Sequence, residues 1–308
     1  MRSRWIRVGQ AVVGLSIVLF AIRALARNWD QLRSQPLAWQ LRPGWLVLSL
    51  VLIWLMYLLL ILAWRSMLSG WGQRLDGWSA ARIWVLSSLG KYVPGKVWAV
   101  AGMALLSKRA GVAPWAATGS AVVMQVIAIG TGAAVAGLAG AHILESAQQG
   151  ARVGLLLLVA GSVISVGLLL WPPFLSRLLR LAAPQAVGER QPAARGVLIG
   201  IASNIVAWLG YGLALWLLAR GLLPTSGLSL RLAIAAFTAS YLAGFLALFA
   251  PGGIGVREGL FILMLQEPLG VGAATSLALA SRLLLTVAEL GAAVPFLALG
   301  RRQARVPS

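Results

Sequence analysis

The sequence predicts an all-α polytopic membrane protein. It is expected to have six or more transmembrane helices and two broken or re-entrant helical hairpins, set in an inverted internal repeat. Three observations lead there. The 308 residues are 60% hydrophobic and 11% charged, with a mean hydropathy of +0.87. A soluble domain of this length carries about twice that charged fraction. Several apolar runs reach the ~20 residues that cross a bilayer. Finally, a helix-breaking, partly charged segment occurs twice, as Tyr92-Val93-Pro94-Gly95-Lys96 and as Ala250-Pro251-Gly252-Gly253-Ile254-Gly255-Val256-Arg257-Glu258-Gly259. Pro94 and Pro251 are 157 positions apart, and the same offset carries Gly95 onto Gly252, Gly102 onto Gly259, and Ala116-Ala117-Thr118 onto Ala273-Ala274-Thr275.

The elements follow in order along a single domain, 1–308. Arg2, Arg4 and Arg7 precede an apolar run that ends in Ala24-Leu25-Ala26, a pattern similar to a signal peptide. Arg23 interrupts the cleavage region, so an uncleaved span is expected over Gln10–Ala26. A second span covers Gly44–Trp64. Trp78–Arg109 is apolar but broken at Lys91-Tyr92-Val93-Pro94-Gly95-Lys96. Proline removes a backbone donor and clashes with the preceding turn, while glycine permits a reversal, so this stretch reads as a helix–turn–helix hairpin. Spans at Pro114–Ala139 and Val153–Trp171 flank a nearly neutral loop with His142, Glu145 and Arg152. A span at Arg195–Ala219 leads to Leu230–Glu267, which is broken at Pro251-Gly252-Gly253. The last span is Val271–Leu299. Repeat 1 thus covers about 44–139 and repeat 2 about 195–299, with extra spans at 10–26 and 153–171.

Charge sets the orientation. The arginines of the N-terminus, of the loop 172–194 (Arg177, Arg180, Arg190) and of the C-terminus (Arg301, Arg302, Arg305) belong on the cytoplasmic side. Six full spans and two re-entrant hairpins then satisfy the charge bias, except for Arg23, Arg27, Arg33 and Arg42 in a loop expected outside. The two repeats acquire opposite orientations, an arrangement of transporters with the site where the halves meet. Trp54-Leu55-Met56-Tyr57 and Trp208-Leu209-Gly210-Tyr211 echo each other in the leading spans.

Composition also excludes functions. The net charge is +19 and the pI near 12.0. The basic residues are scattered between apolar runs rather than gathered on a soluble face, so no nucleic-acid partner is expected. There is no cysteine and one histidine, too few groups for a metal site or a Ser-His-Asp triad. No enzyme activity, catalytic residue, metal or cofactor is expected. Gly252-Gly253-Ile254-Gly255 lacks the Gly-Lys-Ser/Thr ending of a phosphate-binding loop.

Ionisable residues inside a membrane domain are costly and face a cavity or a partner. Arg257 and Glu258 stand at the second break, and Arg282 and Glu289 in the last span. Thr275, Arg282 and Glu289 are spaced by seven, so they share a helix face. The repeat offset maps Thr275 onto Thr118 and Arg282 onto Gln125, and both stripes are expected to face inward. In this reading Arg257 and Arg282 neutralise a phosphate, and the helix beginning near Ile254 adds donors at its positive end. Glu258 and Glu289 pair with the arginines when the site is empty. The alternative is that Arg282–Glu289 and Arg257–Glu258 are locks that fix helix positions. Lys91, Gln125 and Thr275 complete the expected substrate-binding set. Pro94, Gly95, Pro251, Gly252 and Gly253 form the structural breaks. Lys91 and Lys96 attract anionic head groups at the cytoplasmic face or snorkel at a helix end. Asn204 and Tyr211 are expected to bond between helices.

Gly90-Lys91-Tyr92-Val93-Pro94-Gly95-Lys96-Val97-Trp98 and the segment 250–259 resemble the two signature segments of the lysylphosphatidylglycerol synthase transmembrane region family, also called the flippase-like domain family. Arg282-Leu283-Leu284 also fits, and the resemblance covers about Gln10 to Leu299. It implies a membrane domain that moves lipids between leaflets. Full synthases add a soluble aminoacyl-transfer domain, and the chain stops at Ser308, so the resemblance implies the translocating part without lysyl transfer. The expectation is a flippase-like transporter of an anionic or glycosylated lipid head group, multi-pass in the bacterial inner (plasma) membrane. Its partner is a membrane lipid substrate, with an envelope biosynthesis enzyme as a further one. The rival expectation is a non-transporting scaffold or accessory subunit of an envelope lipid or glycan synthesis enzyme. A small-solute permease stands third.

Overall fold

The computed structural model describes residues 40–92, 98–141, 194–247 and 250–303, with isolated positions between 160 and 177. The expected span 10–26, most of the span 153–171, the loop 172–194, Pro94, Gly95 and Lys96, and His142, Glu145 and Arg152 lie outside the described residues. Those described form eight helices and no strand. They are α1 (Pro43–Gly70), α2 (Gly77–Ser88), α3 (Trp98–Arg109), α4 (Pro114–Gly140), α5 (Ala194–Leu222), α6 (Leu230–Leu246), α7 (Val256–Leu269) and α8 (Val271–Gln303). α1, α4, α5 and α8 are long and apolar enough to cross a membrane, and α6 is a shorter apolar helix. Four of the expected spans and both expected hairpins therefore coincide with these helices to within a few residues.

Local chemistry sets the boundaries. Pro43 and Pro114 open α1 and α4, where the missing N–H has no partner to lose. α1 stops at Trp71 and at Gly72, whose φ of 73° suits a left-handed cap. Asp76 caps α2 by accepting from the Ser79 backbone N–H at 2.9 Å. Hydrogen bonds from Ser79 hold its carboxyl below the usual range. Ser229 Oγ accepts from the Leu232 N–H at 3.2 Å and caps α6.

The helix ends gather at two levels. At one, the end of α1 meets the start of α5, where Gly196 brings its missing Cβ to 3.3 Å from Met67 Cα. The loop between α1 and α2 binds the start of α4 through Ala113 N–H to Gln73 Oε1 at 3.0 Å. The end of α8 joins them, with Phe296 4.7 Å from Trp78. At the other level, Arg42 N–H donates to Gly221 O at 3.1 Å, joining the start of α1 to the end of α5. Arg231 at the start of α6 donates to Ala139 O at 3.1 Å, at the end of α4. Hence α2 and α3 start and finish at the first level, whereas α6 starts at the second. α7 hands the chain directly to α8 through Gly270, and α8 is long enough to return from the second level to the first.

Two apolar cores reflect this division. One joins Trp64, Met67, Leu68, Ile83, Met103, Val123, Ile127 and Phe296. The other joins Ile53, Trp208, Leu218, Phe237, Phe261, Leu265, Leu277 and Leu285. Glu289 stands on α8 between Ala288 of the second core and Ala293 of the first. Tyr57 stands on α1 between Ile53 and Ile61 in the same way. Glu289 and Tyr57 thus occupy the seam between the cores.

Candidate functional site

The second break is built from glycines. After α6 the chain makes a tight turn over Pro251–Gly253, with φ of 59° at Gly252, 71° at Gly253 and 84° at Gly255. A Cβ on Gly253 would lie 2.7 Å from Gly244 Cα, so the turn folds directly onto the end of α6. A Cβ on Gly252 would lie 3.4 Å from Arg282 Nη2 and 3.7 Å from the Tyr92 ring. Tyr92 ends the 3₁₀ turn that follows α2. The two breaks therefore touch each other, and α8 runs alongside both.

Two ion pairs fasten these parts. Lys91 Nζ pairs with Glu289 Oε1, and Arg282 Nη1 pairs with Glu258 Oε1. Glu289 also accepts from Tyr92 OH at 2.7 Å and from Tyr57 OH at 3.3 Å. Arg282 Nη2 lies 3.4 Å from the carbonyl of Gly252. The second carboxylate oxygen of Glu258 accepts from the Gly255 N–H at 2.8 Å. Glu258 therefore fills the start of α7, which begins at Val256 rather than near Ile254, and that position is not left open for a ligand.

Arg257 differs. It is 9% exposed, and neither ion pair among the described residues uses it. Its guanidinium lies 5.4 Å from the Phe237 ring centroid and 5.2 Å from that of Tyr241, and Nη2 is 3.4 Å from Ser281 Oγ. Both rings belong to an aromatic wall, since Phe237 stacks on Tyr211 at 5.6 Å and Tyr211 meets Tyr57 at 6.2 Å. Among the described residues, three cations (Lys91, Arg257, Arg282) and two carboxylates (Glu258, Glu289) make up the cluster, one positive charge in excess.

The expected site residues divide accordingly. Lys91, Gly252, Gly253, Arg257, Glu258, Arg282 and Glu289 come together, and Pro251 opens the second turn. Lys91 turns into the bundle toward Glu289 instead of standing at a head-group surface. Thr275 bonds within its own helix, to Val271 O at 2.8 Å. Gln125 is exposed on α4, so the stripe mapped from Arg282 does not face inward in the first half. The buried face of α4 instead carries Ser120, Val123, Met124, Ile127 and Thr131. A seven-residue interval preserves a face only within one helix, not its rotation in a second helix.

The partners differ from those expected. Seven residues rise about 10 Å along a helix, which keeps Arg282 from Glu289. Neighbours such as Arg257 and Glu258 point to different sides. Asn204 donates to Gly200 O of its own helix at 2.8 Å rather than across to a neighbour. The sequence reading missed Tyr57, Tyr92, Phe237, Tyr241 and Ser281. Tyr92 and Tyr57 stood inside the break and the Trp-x-x-Tyr echo, where they were the available signal.

The sequence model of the family described as "Lysylphosphatidylglycerol synthase TM region" matches residues 7–289, and the chain belongs to that family. Comparison with curated proteins and with solved structures gives no significant match.

Proposed function

We propose that this member of the lysylphosphatidylglycerol synthase transmembrane family carries the anionic head group of a membrane lipid between leaflets. Membership of the family fits a membrane protein linked to lipid metabolism or transport. The observation that carries the finer reading is Arg257. A guanidinium is costly in the interior of a membrane domain unless it meets an anion or water. Here it is buried beside aromatic faces, next to a glycine-built turn, in a cluster with one surplus positive charge. A phosphodiester carries one negative charge and offers two oxygens to the guanidinium fork. The acyl tails would stay in lipid, so only the head group leaves water.

The proposal includes the architecture. The two hairpins form an inverted repeat, supported by the opposite levels at which α2 and α6 begin. Masked by neither ion pair, the site lies where the breaks meet, as in carriers built from discontinuous helices. The protein would be multi-pass in a bacterial inner membrane, with the end carrying Arg65, Arg74, Arg82, Lys108 and Arg109 in the cytoplasm. A second reading draws on the two closed ion pairs, which could simply fix the helices. In that reading the protein is a scaffold or accessory subunit for an envelope lipid or glycan synthesis enzyme.

Liposomes with head-labelled phosphatidylglycerol distinguish the two. The native chain should accelerate exchange between leaflets over protein-free vesicles. Arg257→Gln should abolish the gain while keeping the native thermal transition. Arg257→Lys should keep only part of it, because an ammonium lacks the planar fork. Exchange at the native rate in Arg257→Gln would remove the transport reading and favour the scaffold.

A further inference from the structure

A second basic feature lies away from the central cluster, at the level where α1 ends and α2 begins. Arg65, Arg74, Arg82, Lys108 and Arg109 stand in this part of the chain, and Asp76 is the only acid within residues 65–114. Two depressions open there. The larger, about 310 Å³, is lined by Arg65, Ser69, Gln73, Arg74, Leu75 and Asp76. Its Arg65 Nε is already committed to Leu75 O at 2.7 Å, and the Asp76 carboxylate repels anions.

The smaller depression, about 160 Å³, has no carboxylate. It runs between α2 and α3 and is lined by Ser79, Arg82, Ile83, Leu106, Arg109 and Ala110. Arg82 Nε is buried and has no hydrogen-bond partner among the described residues. The Arg82 guanidinium lines the groove, and neither ion pair among the described residues uses it. Tryptophans surround this level. Trp78 adjoins Ser79 and is 53% exposed, and Trp71 packs on Trp115 at 6.0 Å. Aromatic side chains with one wet and one apolar side settle at head-group depth.

We infer that the groove between α2 and α3 binds a phosphate-type anion at the membrane surface, through Arg82, Arg109 and the Ser79 hydroxyl, as a site separate from Arg257. The anion is the phosphate of an anionic phospholipid head group or a free phosphate. Occupancy gives the Arg82 and Arg109 guanidinium groups a counter-charge and ties the start of α2 to the end of α3 through one ligand. The inference does not depend on transport by the central site.

Native mass spectrometry of the purified full chain tests it. The protein is mixed with phosphatidylglycerol, with phosphatidylcholine, or with phosphatidylglycerol plus excess inorganic phosphate. All measurements are repeated in Arg257→Gln, so that the central site adds nothing. Retention of phosphatidylglycerol over phosphatidylcholine is expected in both backgrounds, falling at least about tenfold in Arg82→Gln/Arg109→Gln. Arg82→Lys keeps the charge but loses the planar fork, and should retain the lipid more weakly while melting like the native chain. Displacement by inorganic phosphate identifies the free anion as ligand, and resistance to it identifies the lipid. Equal retention of the two lipids with no phosphate bound overturns the inference. So does undiminished retention in both the Arg82→Gln/Arg109→Gln and the Arg82→Lys proteins.

Discussion

Glu289 collects three donors that come from two parts of the chain, Tyr57 on α1 and the adjacent Lys91 and Tyr92 at the first break. None of these partnerships is legible in the sequence, because Lys91 and Glu289 are separated by almost two hundred residues. The cost of an ionisable group in lipid marks each residue as needing a partner but does not say which one. The same reasoning did find Arg257, Glu258, Arg282 and Glu289, since each is a charge set in apolar surroundings. It also promoted Gln125, which lies on the exposed face of α4, and Thr275, whose hydroxyl bonds within its own helix. Breaking a buried pair strands the remaining charge, whereas removing both partners is far milder. Glu289 is buried but the Lys91 side chain is 32% exposed, so Glu289→Gln should destabilise the protein by about 1–3 kcal/mol by leaving Lys91 uncompensated. The double variant Lys91→Met/Glu289→Gln should recover much of that loss, with a coupling of about 1–3 kcal/mol. Thermal unfolding in detergent of the two single variants and the double measures it. Additive losses would mean that the pair contributes nothing as a pair.

The elements were the most legible level. Proline at the first turn, apolar runs of spanning length and the two glycine–proline breaks placed α1, α4, α5, α8 and both hairpins. What stayed hidden was how close the broken segments come. Gly253 illustrates why: its sequence signal is only that of a flexible residue, yet its hydrogen stands where a side chain would meet the backbone of Gly244. Gly227 provides the comparison, since it has a similar φ of 65° but nothing within 4 Å of the position of a Cβ. Gly227→Ala should lose only the left-handed backbone cost, about 1–2 kcal/mol. Gly253→Ala adds a backbone collision to the same cost. It should lose clearly more stability and should also separate the turn from α6, changing the seat of Arg257. Melting curves of the two variants, run beside lipid exchange, check this. Equal losses would show that the second turn is loosely held.

The arrangement of the whole molecule rests on the level at which each hairpin begins. The first hairpin is tied to the end of α1 and the start of α4, and the second to the end of α5 and the end of α4. If both long helices cross the bilayer, these levels are opposite membrane faces, and the breaks meet between them. On the proposed reading, the basic residues near the first level put it in the cytoplasm. The chain has no cysteine, so single cysteines report position without a background. Ser69→Cys and Ala110→Cys sit at exposed positions beside the first hairpin, and Thr225→Cys and Glu267→Cys at exposed positions beside the second. A membrane-impermeant maleimide applied to intact spheroplasts should label Thr225→Cys and Glu267→Cys. Ser69→Cys and Ala110→Cys should react only after permeabilisation. The reverse pattern would keep the opposed hairpins and invert the protein in the membrane. Labelling of all four from one side would mean that both hairpins enter through the same face. Alternating exposure of Arg257 to the two leaflets would then lose its structural basis, because the two halves could no longer exchange roles across the bilayer.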